Sequence, residues 1–290
     1  MKRGRFTLEP WRVREESLDL DLLPQTESLF ALANGHLGLR GNLDEGEPFG
    51  LPGTYLNSFY ELRPLPYAEA GFGYPESGQS IINVTNGKLI RLLVDDEPFD
   101  VRYGTLRSHE RVLDLQAGHL HRSVVWVSPA GLATNITSTR LVSFTQRAVA
   151  AISYEVQPLN KRARVVIQSE LVANEPLPSL RRDPRVAEVL ESPLVSEYYT
   201  TWELGAALVH RTKLSKLGVA VAMDHLVEGD EVQVIGDVGP DMGQITVTTV
   251  LEPGQRLRVV KFLAYGWSGV RSRQALFDQV TAALTAARHT

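Results

Sequence analysis

Four groups of residues are of the right type and spacing to do chemistry. Asp95, Asp96, Glu97 and Asp100, in LIRLLVDDEPFDV, offer the oxygen ligands that Ca²⁺ and Mg²⁺ take. They lie between two strand-like runs with Pro98 among them, and this arrangement predicts a hairpin turn in preference to a cation site. His119 and His121, two apart in GHLHRSVVWV, project from one face of a strand, as an imidazole pair for a metal would. No cysteine or nearby carboxylate completes that set, and Ser123 and Val125 continue the face, so a sheet surface is expected and no metal ligand is assigned. The third group is TYLNSFYELRPLPYAEAGFGYPESGQ, from Thr54 to Gln79, where Tyr55, Phe59, Tyr60, Tyr67, Phe72 and Tyr74 stand amid glycine and proline with Glu61, Arg63, Glu69 and Glu76. Aromatic faces stack on sugar rings, while carboxylates and guanidinium groups bond hydroxyls and anions. Two readings stay open for this loop. Either it faces a ligand, with Tyr60, Glu61, Arg63, Tyr67 and Tyr74 as candidate substrate-binding residues, or its aromatics plug the open end of a β sandwich. The fourth is Arg40 in HLGLRG, a charge with glycines on both sides and a candidate contact to a neighbouring domain.

The elements that must position these residues are mostly strands. From about Ser108 onward the chain breaks into short stretches of period-two alternation bounded by Gly, Pro, Asn or Asp. In RAVAAISYEV, Ala148, Ala150, Ile152, Tyr154 and Val156 share a face; in ARVVIQSEL, Val165, Ile167 and Leu171 oppose Arg164, Gln168 and Glu170. The pattern recurs in EVQVIG, QITVTTVL and QRLRVVKFLAY, separated by Glu228-Gly229-Asp230, Gly239-Pro240-Asp241 and Glu252-Pro253-Gly254. Many strands with short polar turns predict a mainly β fold, a large antiparallel sandwich. Residues 174–196, rich in proline and mixed charge, read as a long excursion between strands. Two stretches read as helical. A short one runs from Thr26, its candidate N-cap, to Ala33, with Asn34-Gly35 as the stop and His36 to Arg40 continuing as a strand in which Gly38 and Gly41 permit close backbone approach. The other is RSRQALFDQVTAALTAARHT at the end, where Leu276, Val280 and Leu284 form an apolar stripe that needs a partner, either the sandwich or a further domain.

Composition removes several classes of function. The formal net charge of -4 gives no basic excess for a nucleic-acid partner. The chain has no cysteine, which excludes disulfides, thiol catalysis, Cys-ligated zinc and iron–sulfur clusters, and fits a reducing cytoplasm. The basic N-terminus lacks an apolar signal core, and no run reaches the roughly 18 apolar residues of a membrane span. No P-loop, dinucleotide fingerprint, GxSxG elbow or HExxH occurs, and no catalytic residue is assigned within the chain. The expectation is a soluble cytoplasmic protein without a membrane partner.

The order ESLFALANGHLGLRGN, LPGTYLNSFYE, GQSIINVTNGKLIRLLVDDEPFDV, VLDLQAGHLHRSVVWV and TSTRLVSFTQRAVAAISYEV resembles the N-terminal domain of glycoside hydrolase family 65 over nearly the whole chain. That family contains trehalose, maltose and kojibiose phosphorylases and trehalose-hydrolysing relatives, and the trehalose-acting type is the nearest likeness. The resemblance implies an N-terminal antiparallel β super-sandwich, a helical linker, an (α/α)6-barrel catalytic domain and a small C-terminal β domain. On that basis residues 1–268 are expected to be the super-sandwich and 269–290 the start of the linker. The general acid, a glutamate, and the phosphate site of the phosphorylases would lie in the barrel. The resemblance thus implies an inverting α-glucoside phosphorylase or hydrolase acting on trehalose or a similar α-glucodisaccharide, without a cofactor, with inorganic phosphate as co-substrate if a phosphorylase. The 290-residue chain alone would be inactive. A free-standing carbohydrate-binding or dimerisation module is the alternative, and a homodimer is compatible with either.

Overall fold

The computed structural model describes residues 6–46, 48, 51–65, 72–176 and 192–289. The chain opens with a hairpin of β1 (Phe6–Glu9) and β2 (Arg12–Glu15). A short helix α1 (Leu23–Leu29) follows, then β3 (Leu32–Ala33), β4 (Leu37–Leu39) and β5 (Thr54–Leu56). Next come the hairpins of β6 (Tyr60–Pro64) with β7 (Ser77–Ile81), and β8 (Ile90–Val94) with β9 (Glu97–Pro98). Long strands then take over: β10 (Thr105–Asp114), β11 (His119–Val127), β12 (Ala133–Val142), β13 (Val149–Pro158) and β14 (Ala163–Val172). After the excursion come β15 (Leu194–Trp202), β16 (Gly205–Thr212), β17 (Gly218–Glu228), β18 (Gln233–Val238), β19 (Met242–Leu251) and β20 (Leu257–Ser268), and finally the helix α2 (Arg273–Arg288).

Two antiparallel sheets face each other. The larger has ten strands in the order β1-β2-β10-β11-β12-β13-β20-β17-β16-β15, and the smaller has five, β18-β19-β14-β8-β9. Their inner faces share one core, in which Trp126, Ile152, Tyr154, Val221 and Leu263 of the large sheet meet Ile90, Leu92, Val165, Ile167 and Val247 of the small one. The period-two pattern is the cause: in β11 and β13 alternate residues are buried and half-buried along almost the whole strand. β16 and β17 break the alternation and are buried on both faces, because α2 lies across their outer side. There Leu276, Val280 and Leu284 pack on Ala207, Val209, Ala220, Ala222 and Ala264, whose short side chains let the helix come close. Ser272 caps α2 by accepting from the Ala275 N–H at 3.2 Å. The terminal stripe therefore finds its partner on the sandwich.

The start of the chain departs from expectation. The first helix spans Leu23–Leu29 with Pro24 in its opening turn, and Thr26 lies inside it, its hydroxyl donating to the Leu23 carbonyl at 3.1 Å. Leu32 and Ala33 are strand, paired with Leu39 and Gly38. Asn34-Gly35 is thus a hairpin turn and not a helix stop: the Asn34 side-chain oxygen accepts the N–H of His36 and Leu37, each at 2.9 Å, and Gly35 has φ +82°. Gly41 does permit close approach, since a Cβ there would fall 2.7 Å from the Phe30 Cβ and carbonyl oxygen. Gly38 does not require glycine for that reason, its nearest such contact being an ordinary 3.8 Å. The excursion is shorter than the expected 174–196, since Leu194 to Ser196 already belong to β15, and Asn174 closes its base by donating to the Leu194 carbonyl at 2.9 Å and accepting the Leu194 N–H at 3.1 Å.

Candidate functional site

The aromatic loop divides between the two readings. Phe59 is fully buried, edge-on to Trp267 at 6.0 Å, and Tyr60 packs partly against the same core, so this half plugs the sandwich. Phe72 and Tyr74 are exposed on the connection between β6 and β7. Glu61 is buried, and its carboxylate accepts the N–H groups of Leu62 (2.8 Å), Leu214 (3.0 Å) and Ser215 (2.7 Å), while the Ser215 hydroxyl donates to the Tyr60 carbonyl at 2.7 Å. Burial opposes its ionisation, but those amides outweigh burial and hold the carboxyl below its usual range. Glu61 is placed as a clamp on the turn between β16 and β17. Arg63 lies across the hairpin from Gly78, its Nε buried with no hydrogen-bond partner among the described residues. Tyr67, with Glu69, falls outside the described residues.

Arg40 turns inward. Its guanidinium donates to Glu27 at 3.4 Å and to the Pro24 carbonyl, both on α1, and its Cβ fills the space over Gly53, where an added Cβ would sit 2.3 Å away. It joins a set of buried charges that the sequence reading did not single out. Arg122 makes a fork to Glu45 at 2.5 and 2.8 Å; Arg140 reaches Asp44 at 2.6 Å and the Arg40 and Asn42 carbonyls; Arg111 holds Glu15 at 2.7 Å, the Gly41 carbonyl and Thr26. Lys261 donates to the Leu89 and Glu170 carbonyls, and Lys88 to the Gly53 carbonyl and Thr54. Arg111, Arg122 and Arg140, on the inner face of the large sheet, therefore grip residues 40–45, which are neither helix nor strand. Desolvation opposes ionisation of Asp44, yet Arg140, Arg122 and the Ser138 hydroxyl keep it below the usual carboxylate range. Burial pulls Lys88 and Lys261 each down to about 7. A signal for this existed: Arg122 is in phase with Leu120, Val124 and Trp126, on the face that alternation assigns to the core.

Beside this network a half-open recess is lined by Glu27, Asn42, Leu51, Asn86, Leu89 and Glu175. Its enclosed space is about 20 Å³, room for a single water and far below the range of about 300–1,000 Å³ usual for small-ligand pockets. Glu175 accepts from the Asn86 amide at 2.7 Å, and burial, opposed by that bond and by Lys88, raises its carboxyl. The Asp95-Asp96 pair forms the expected turn, both residues having positive φ, with Asp95 accepting the Arg164 N–H at 2.6 Å and Asp96 the guanidinium at 2.8 Å. His119 and His121 stand on the half-buried outer face of β11, where His121 Nδ1 meets the Thr139 hydroxyl at 3.0 Å. The ionised state favoured for Asp44 and Glu61 suits structural ion pairing and is the reverse of what a general acid needs.

Comparison with known proteins agrees with this architecture. The model of the glycosyl hydrolase family 65 N-terminal domain matches residues 13–290. An uncharacterized glycosyl hydrolase of Mycobacterium tuberculosis (strain ATCC 25618 / H37Rv) is 60% identical over 285 residues, covering 98% of this chain and 36% of the relative. The alpha,alpha-trehalose phosphorylase of Thermoanaerobacter brockii is 32% identical over 270 residues, 91% of this chain and 35% of the relative. Among solved structures, a provisionally named kojibiose phosphorylase from human microbiome superposes with a TM-score of 0.85 at 19% identity, over 99% of this chain and 36% of that one, and so shares the fold. The chain spans about a third of the length of these relatives. With its inward-facing charges, its two facing sheets and a family match that runs from the second strand to the last helix, the chain belongs to glycosyl hydrolase family 65, as its N-terminal domain.

Proposed function

We propose that this chain is the non-catalytic N-terminal domain of an inverting α-glucoside phosphorylase or hydrolase that acts on trehalose or a similar α-glucodisaccharide. The observation that carries the reading is the 32% identity to a trehalose phosphorylase across 91% of this chain. Residues 1–268 then form the super-sandwich, with 269–290 leading into an (α/α)6 barrel that holds the general acid and the site for inorganic phosphate, the co-substrate of a phosphorylase. The domain supports and shapes that active site in the cytoplasm, and the enzyme needs no cofactor. The engaged carboxylates support this role, since Glu15, Glu27, Asp44, Glu45, Glu61 and Glu170 all accept bonds from side chains or amides within the domain.

The test is an assay of the full-length protein on trehalose, maltose and kojibiose, with and without phosphate. Consumption of trehalose with release of β-glucose 1-phosphate, or of β-glucose in water, is expected, because inversion at an α-linkage yields the β-anomer. The 290-residue chain alone releases neither, and Glu175→Gln, at the one carboxyl raised by burial among the described residues, leaves full-length turnover intact. Turnover by the isolated chain, or none of these disaccharides consumed by the full-length protein, overturns the proposal.

A further inference from the structure

The ten-stranded sheet has two unlike ends. At one end, successive turns each present a large apolar side chain to solvent: Trp11 between β1 and β2 (64% exposed), Leu115 between β10 and β11 (56%), Phe144 between β12 and β13 (71%), Leu214 between β16 and β17 (53%) and Val270 after β20 (95%). The strand register places them side by side. Arg12 pairs with Asp114, His119 with Leu141, Val149 with Ala264 and Gly218 with Ser268, so all these turns emerge together. At the spacing of about 4.8 Å between strands the row is roughly 35 Å long. The turns at the other end carry Glu228, Asp230, Glu231, Glu252, Gln255 and Arg256, with Tyr103 and Leu159 as the exposed large apolar side chains among the described residues there. Scattered surface hydrophobics are ordinary, and Tyr55, Ile81 and Ile235 are such cases elsewhere on this surface, but five in neighbouring turns at one end of one sheet form a row.

Two details indicate that the row is held for a purpose. Trp11 has φ +65°, in the left-handed region where glycine is unstrained and a bulky residue is an outlier, while its carbonyl accepts the Leu115 N–H at 2.7 Å and its ring points to solvent. Leu214 is presented by the Glu61 carboxylate, which fixes the backbone of that turn through two N–H groups. We infer that this end of the sheet is a docking face, and that its occupant is an apolar surface of the remaining two-thirds of the same polypeptide. The relatives supply the argument for the occupant: each matches this chain over nearly all of its length, yet the match fills only 35–36% of the relative. The inference rests on the proposed function in one respect, that the whole protein continues into a further domain.

The experiment is hydroxyl-radical footprinting of the full-length protein over a range of concentrations. Labelling is read by mass spectrometry at Trp11, Leu115, Phe144, Leu214 and Val270, with Tyr103 and Leu159 as exposed references and Trp126 as a buried one. Labelling of the five turns is expected to be lost, matching Trp126 at every concentration, while Tyr103 and Leu159 stay labelled. Turns that label as freely as Tyr103 overturn the inference; protection that vanishes on dilution also overturns it, assigning the face to a second copy instead. A disaccharide assay on the same preparation separates the two readings. Activity with freely labelled turns removes the docking face alone, and protected turns in a protein inert toward every α-glucodisaccharide remove the proposed substrate class alone.

Discussion

Arg122 stands where alternation would put a hydrophobic residue, and the chain keeps it there by surrounding it. Glu45 takes two of its bonds, Asp44 lies 3.6 Å away, His109 Nε2 accepts from Nε at 3.3 Å, and the Phe99 ring covers it at 5.7 Å. A buried ion pair adds little over a well-packed apolar pair, but removing one partner strands the other charge. Arg122→Met should therefore destabilise the domain by about 3–5 kcal/mol, whereas Arg122→Met with Glu45→Gln should recover a good part of that loss. Urea unfolding of the three proteins measures it. A single variant within about 0.5 kcal/mol of the parent would show that the pair is not shut off from water as the structure has it. The same logic makes Arg40 a stability residue: its charge is committed to Glu27 and the Pro24 carbonyl of α1.

At the scale of elements, α2 gives the clearest case. Its capping serine and its three buried apolar residues at spacings of four place it on the outer face of β16, β17 and β20. Leu276→Ala should cost about 2–5 kcal/mol, since a fully buried leucine leaves a cavity between helix and sheet. A change below about 0.5 kcal/mol would mean that the helix is not docked in solution. Elements of this kind were legible in the sequence because one periodicity decides them. β11, β12, β13 and β19 follow the period-two rule in the same way, and the Asp95-Asp96 turn was legible from its residue types, both of which take positive φ. The helix at the start was not legible in detail: Asn-Gly serves equally as a helix terminator and a hairpin turn, and only the pairing of Leu32 with Leu39 chooses between them. The candidate site was legible by composition but not by role. Aromatic and acidic residues crowd Thr54 to Gln79, yet whether Phe59 is buried, Tyr74 exposed or Glu61 clamped depends on partners more than a hundred residues away, Leu214, Ser215 and Trp267 among them.

For the whole molecule, the buried imidazoles set the response to acid. His225 donates from Nδ1 to the Leu204 carbonyl at 2.6 Å and meets the Ser169 hydroxyl through Nε2 at 2.8 Å, so the neutral ring has both nitrogens partnered. Burial, then the Lys261 charge, drives it down to about 3; burial, then Arg122 and Arg111, drive His109 to about 2; and burial lowers His210 against the pull of Asp241. In the unfolded chain each titrates near 6.5. The folded values lie below the unfolded one, so between them the unfolded chain binds more protons, and stability rises with pH across that window and is lost as pH falls below about 6.5. Each histidine contributes a slope of up to about 1.4 kcal/mol per pH unit. The lowered carboxyls of Asp44 and Asp100 add the same sign at more acid pH, and the raised Glu175 opposes it. Urea midpoints at pH 7.5, 6 and 5 should therefore fall steadily. His225→Gln should lower the midpoint at pH 7.5, through the lost packing, yet flatten the decline toward pH 5 by about one proton's worth. A variant that declines as steeply as the parent would show that His225 exchanges its proton equally in both states, and that the layer between the two sheets is open to water.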